Sequence, residues 1–233
     1  MMGKFILASA LACALAAPLA AQSQPGGSSE TGTLITRPPA VYQGETTADA
    51  RETVRQFGMC SLRRSPTLSE QLLDVPVDTP QFTKLLNRIA ADECLSYGEL
   101  RIPFQLLRGA IFEAFYSRRF GRDFRADLKS VPSFNYTAGY ARPLSEDAAN
   151  TISLAIVADC VVRTDPAPAR QMIAARPGSP SEIEAIGLIA AKLPGCVPPK
   201  QKLRFSRSVI RAATAEALYR LSTMARSAGG VAK

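Results

Sequence analysis

Shifting the chain along itself by 100 residues lays Cys60 on Cys160, and a shift of 102 lays Cys94 on Cys196. The first shift also matches Ala48, Arg63, Pro66, Gln71, Pro80, Ile89, Ala90 and Ala91 to Ala148, Arg163, Pro166, Gln171, Pro180, Ile189, Ala190 and Ala191. A shift of 103 then matches Leu100, Arg101, Arg108, Ala110, Glu113, Ala114 and Tyr116 to Leu203, Arg204, Arg211, Ala213, Glu216, Ala217 and Tyr219. So many identities, in order and including both cysteines, describe two copies of one unit, at 46–120 and 146–226. A fold for this chain has to be one small motif made twice.

The cysteines stand at equivalent places in each copy. Cys60 with Cys94 and Cys160 with Cys196 is therefore the economical pairing. Pairing across the copies is the alternative, because sequence alone does not fix connectivity. A loop of this length, once closed, contributes roughly 3–4 kcal/mol in the chain-entropy account. A unit of about 75 residues gains from such a staple, since its core alone is marginal.

The N-terminus says why cysteines should pair. Met1 to Lys4 is basic, Phe5 to Ala17 is apolar, and Pro18-Leu19-Ala20-Ala21 closes the run with small residues. This is the pattern of a secretory signal peptide, residues 1–21, cleaved after Ala21. Its apolar run falls short of the ~20 residues that span a bilayer. Cleavage removes Lys4 and the odd Cys13, leaving four cysteines in an exported chain, where disulfides form and persist. The Ala-rich leader looks bacterial, so the expected place is periplasmic or secreted. Residues 22–45, rich in Gly, Ser, Pro and Thr, read as a disordered leader. Residues 121–145 read as a linker and 227–233 as a flexible tail.

Within each copy the periodicity is helical, with no sustained alternation. The expected fold is all-α, two tandem disulfide-stapled units of about four helices each. Helices are predicted over Thr46–Arg63, over Leu68–Leu73, and from Thr79-Pro80 and Ser179-Pro180, where an N-cap residue precedes proline. Ser179 and Glu182 make a capping box. The last helices, Pro103 to about Arg119 and about Lys202 to Arg226, are apolar around most of their circumference and should be the most buried.

The chemistry is bounded first by an absence: the chain has no histidine. Ser-His-Asp and Cys-His catalysis, and any metal site built on imidazole, are excluded. It has no G-x-S-x-G, S-x-x-K, P-loop or C-x-x-C pattern, so no catalytic, cofactor-binding or metal-ligating residue is assigned. The best-matched stretch, L-R-x6-R-x-A-x-x-E-A-x-Y, reads as scaffold. Arg108 and Glu113, like Arg211 and Glu216, are five apart and cannot share a helix face, so each should pair with a neighbouring helix. Among the acids, Glu146-Asp147 suits a helix start, and Asp92-Glu93 and Glu182/Glu184 are the other close carboxylates.

Charge supplies the one positive signal. Lys and Arg number 28 against 20 Asp and Glu, a net +8. No acid occurs between Glu184 and Glu216, a stretch holding Lys192, Lys200, Lys202, Arg204, Arg207 and Arg211. On a helix Arg204, Arg207 and Arg211 fall on one face. Lys200, Lys202, Arg204, Arg207 and Arg211 are thus the candidate residues for an anionic partner, an envelope component or an acidic protein. Nucleic acid is not expected, for want of interleaved stacking aromatics. The expected function is a non-enzymatic binding or structural module of the bacterial cell envelope. The alternatives are a hydrolase of envelope polymers using Glu93 and Glu113, and a periplasmic chaperone using apolar surface between the copies.

Overall fold

Side-chain caps set the helix starts. Thr47 Oγ1 accepts from the Ala50 N–H (3.2 Å), Thr79 Oγ1 from Phe82 (3.1 Å), Ser145 Oγ from Ala148 (3.0 Å) and Ser179 Oγ from Glu182 (3.3 Å). Each satisfies one amide that the first helical turn leaves without a partner. The helices that follow are α1 (Ala48–Arg64), α2 (Pro66–Asp74), α3 (Pro80–Ala90), α4 (Phe104–Phe120), α5 (Glu146–Thr164), α6 (Pro166–Ala174), α7 (Pro180–Ala190), α8 (Leu193–Cys196) and α9 (Arg207–Gly229). The computed structural model describes residues 47–90, 94, 102–121, 123–199, 201 and 203–229. Among the described residues the chain is all-helical, with no strand. The predicted signal peptide and leader lie outside them.

α4 and α9 pack along each other at the centre of the core, with α1 against α4 and α5 against α9. α4 buries Leu107, Ile111, Phe112 and Tyr116, and α9 buries Ala215, Leu218, Tyr219 and Leu221. Small residues let the backbones approach. A Cβ on Gly58 in α1 would stand 2.5 Å from the Ala110 carbonyl oxygen of α4, a separation that only glycine tolerates. The apolar faces of α4 and α9 are therefore covered by each other and by α1 and α5. Two disulfides complete the frame: Cys60 in α1 joins Cys94, and Cys160 in α5 joins Cys196 at the end of α8, with Cα–Cα separations of 5.5 and 5.7 Å.

One expectation is corrected, and three details are added to the others. α9 begins at Arg207 instead of near Lys202, because Ser206 takes the cap position and its Oγ accepts from the Val209 N–H at 3.3 Å. The short α8 has no forerunner in the sequence reading. Residues 121–145 are more than a tether: Leu128, Val131 and Tyr136 are buried. Arg163 of α5 holds this segment through the carbonyls of Val131 and Pro132. Finally, α9 continues to Gly229, so the first residues of the expected tail are helical.

The capping box at Ser179 is half formed. Ser179 caps Glu182, but the Glu182 carboxylate reaches the Gly178 N–H (2.6 Å) in place of that of Ser179. Gly178 has φ +82° and its Cβ position is occupied by Ala48, so glycine is needed there on both counts.

Candidate functional site

The charged residues that were matched in sequence meet in the interior. Arg211 of α9 grips Glu113 of α4 with two parallel bonds, Nε to Oε2 at 2.8 Å and Nη2 to Oε1 at 2.7 Å. Its Nη1 donates to Glu182 Oε1 of α7 at 2.9 Å, and Nη2 also reaches the Ala175 carbonyl at 3.0 Å. Arg51 of α1 adds a bond to Glu182 Oε2 at 3.1 Å, and Arg55 a bond to Glu113 Oε1 at 2.9 Å. Burial alone would lower the Arg211 pKa, but the hydrogen bonds and charge of Glu113, with those of Glu182, more than offset it and raise the pKa. The guanidinium is thus locked in its charged form, with both carboxylates filled by donors.

A second cluster faces the C-terminal end of α2. Arg108 of α4 and Arg220 of α9 meet Glu216 Oε1 at 3.2 and 2.9 Å. Both also donate to the Leu73 carbonyl at 2.8 Å. Carbonyls left open at a helix C-terminus favour cations, so α2 helps hold this pair. Arg220 lies over the rings of Phe112 and Phe134, at 5.0 and 4.0 Å from their centroids. Nearby, the Tyr136 hydroxyl donates to Asp159 Oδ2 at 3.1 Å.

The residues expected to face an anionic partner divide three ways. Lys200 and Lys202 lie outside the described residues. Arg204 and Arg207 are exposed. Arg211 is a correction: it is 6 % exposed and bound to two carboxylates, so it belongs to the core and not to an outer basic face. Arg204 precedes the helix, so the predicted helical face of three arginines does not form. The sequence held a signal for this, since Arg211 sits between Ile210 and Ala212 in a helix read as apolar nearly all round.

Arg108 and Glu113 do pair with a neighbouring helix as expected, each with α9. Of the two acids named for a hydrolase, Glu93 lies outside the described residues and Glu113 has both oxygens engaged by arginine. The roles of Arg51, Arg55 and Glu182 were not anticipated, because nothing in the linear spacing brings α1 and α7 to α4. No cluster of metal-ligating side chains occurs among the described residues, and no helix there is long and apolar enough to cross a membrane. Comparison with protein-family models, curated proteins and solved structures gives no match to this chain.

Proposed function

We propose that the chain is an exported, non-enzymatic binding module of the bacterial cell envelope, built of two tandem helical copies and holding an anionic partner through its surface charge. One observation carries the electrostatic part. Among the described residues, the buried charged side chains are four arginines (Arg51, Arg108, Arg211, Arg220) and four acids (Glu113, Asp159, Glu182, Glu216). They cancel, so this buried set contributes nothing to the net charge of +8. Interior pairs of this kind fix one arrangement of helices, whereas an unbalanced surface charge attracts anions.

The two-copy reading is supported by registration. α2 and α6 both span nine residues, and α3 and α7 both span eleven, with every boundary shifted by 100. Arg108 pairs with Glu216 while Arg211 pairs with Glu113, each residue meeting the counterpart of its own neighbour. This is the reciprocity of a two-fold interface.

The test is retention of the purified mature protein on isolated bacterial envelope as salt is raised. The expected result is binding that weakens steeply with ionic strength and falls severalfold in Arg204→Glu/Arg207→Glu. Arg211 is left intact because its replacement would disturb the core. Retention insensitive to both salt and the double substitution would reject the reading.

A further inference from the structure

We propose that α7 carries a self-association surface, through which two copies of this chain pair as a two-fold dimer with their α7 helices antiparallel. Among the described residues four large apolar side chains are exposed, and two of them, Ile183 (48 %) and Leu188 (45 %), stand on α7. With 3.6 residues to a turn they border one outward stripe whose middle is Gly187 and Ala191, both exposed. Ala185, Ile186 and Ile189 point the opposite way, into the core. The helical path runs on through Ala191 (φ −63°, ψ −20°) and Lys192 (φ −91°, ψ −19°) to α8, where the Cys160–Cys196 disulfide ties it to α5. The stripe is thus held in place before any partner arrives.

The matching helix, 100 residues earlier, is the contrast. α3 carries Thr83, Lys84, Asn87 and Arg88 where α7 carries Ile183, Glu184, Gly187 and Leu188. The first set suits a face turned to water, whereas the second leaves apolar area uncovered. Gly187 adds to the contrast. A glycine inside a helix costs stability, and a Cβ on Gly187 would meet nothing within 4 Å, so the chain itself gives no packing reason for it. Gly58 in α1 and Gly109 in α4 do have such a reason: each seats an alanine of a neighbouring helix, Ala110 and Ala212. Gly187 is a seat of the same kind with its alanine missing.

Charge selects the occupant and its direction. Glu184 lies four residues before Leu188, and Lys192 lies four residues after it. A two-fold axis beside Leu188, with the helices antiparallel, sets each Glu184 level with Lys192 of the second copy. It also sets Leu188 against Leu188 of the second copy. The same register brings Gly187 to Ala191 of the second copy, repeating the glycine–alanine contact of the interior. A parallel pair would instead set Glu184 level with Glu184 and Lys192 with Lys192, like charge against like. The stripe is therefore complementary to itself in one direction only, as an isologous interface requires. Gln171 Nε2 donates to Glu184 Oε2 at 3.0 Å and so helps to hold that carboxylate. A face of about three turns offers less than the roughly 1,200 Å² that tight complexes bury, so the dimer should be weak and reversible.

Sedimentation velocity of the mature protein over about 5 to 500 µM tests the proposal, with a reversible monomer–dimer equilibrium of micromolar dissociation constant expected. Leu188→Arg introduces the residue type that α3 carries as Arg88, and it sets like charges at the axis. It should weaken pairing about tenfold or more with helicity unchanged. Gly187→Ala should do two opposite things. It should raise the melting temperature at the low end of the concentration range, because its Cβ meets nothing in the chain, and weaken pairing severalfold, because that Cβ intrudes on the second copy. It carries the test alone if Leu188→Arg fails to fold. Glu184→Lys should weaken pairing, and adding Lys192→Glu should restore it; no restoration overturns the antiparallel register. A monomer at every concentration overturns the proposal, whether the stripe then meets residues preceding Thr47 or an envelope protein. So does assembly beyond two chains, or a dimer whose affinity is unchanged in the folded Leu188→Arg and Gly187→Ala proteins. Envelope retention enters none of these readings, so the dimer and the anionic-partner reading stand or fall separately.

Discussion

Gly109 of α4 and Ala212 of α9 touch backbone to backbone. A Cβ on Gly109 would lie 2.5 Å from the Ala212 Cα and closer still to its Cβ, so α4 and α9 approach as near as they do because one residue there has no side chain. Everything at this seam, from the Arg211–Glu113 bonds to the Phe112–Tyr219 ring contact at 5.5 Å, depends on that spacing.

Gly109→Ala should therefore lower the stability of the protein by about 1–3 kcal/mol, the cost of forcing extra volume into a packed core. Urea unfolding followed by circular dichroism measures it. Adding Ala212→Gly should not restore the loss, because the clash with the Ala212 Cα remains. A Gly109→Ala protein as stable as the parent would show that the helices can part there.

The two arginines at positions 207 and 211 should behave oppositely. Arg211→Met leaves Glu113 and Glu182 buried with fewer cations and should cost about 3–5 kcal/mol, as breaking a buried pair does. Arg207→Met, on the exposed first turn of α9, should stay within about 0.5 kcal/mol. Equal effects in the same unfolding experiment would contradict the interior placement of Arg211.

Alkali should destabilise the fold through its phenols. Burial, reinforced by the Asp159 charge, holds the Tyr136 pKa well above the ordinary 10.0. Burial likewise raises Tyr116, Tyr140 and Tyr219. An unfolded chain sheds these protons near pH 10 while the folded chain keeps them. Stability is therefore full below about pH 10 and falls as pH rises through the higher folded values. The chain has no tryptophan, so tyrosinate absorbance follows the transition without overlap. Tyr136→Phe should reduce the alkaline loss; an unchanged pH dependence would show that Tyr136 does not contribute.

Removing one staple should cost about 2–5 kcal/mol. Cys160→Ser/Cys196→Ser tests this by thermal unfolding. Peptide mapping of the unreduced parent should recover Cys60 linked to Cys94 and Cys160 linked to Cys196. A peptide joining Cys60 to Cys160 would overturn both pairings.

Much of the fold was legible because its signals are local. Ser179-Pro180 and Thr79-Pro80 announce helix starts through a hydroxyl and a fixed φ, and both helices begin at those prolines. The start of α9 is harder to read, because Ser206, a cap of the same kind, stands in a run dominated by its charges. The charge clusters were only half legible. That Arg108 and Glu113 need another helix follows from their spacing, but which helix depends on how α4 lies against α9. The charge of Arg211 points to the surface, whereas Ile210 and Ala212 on either side of it point to the core, where it lies.

The contact between Gly109 and Ala212 also sets an order of events. It joins residues 103 positions apart, and the α4–α9 part of the core closes through such distant contacts. Folding that waits on remote segments is slow, and it leaves apolar surface uncovered meanwhile. Until residues 207–229 have emerged, α4 has α1 beside it but lacks α9, and the face around Gly109 and Phe112 stays uncovered. A nascent chain stopped before α9 is therefore a sticky intermediate, and α9 decides when the first half becomes safe from aggregation.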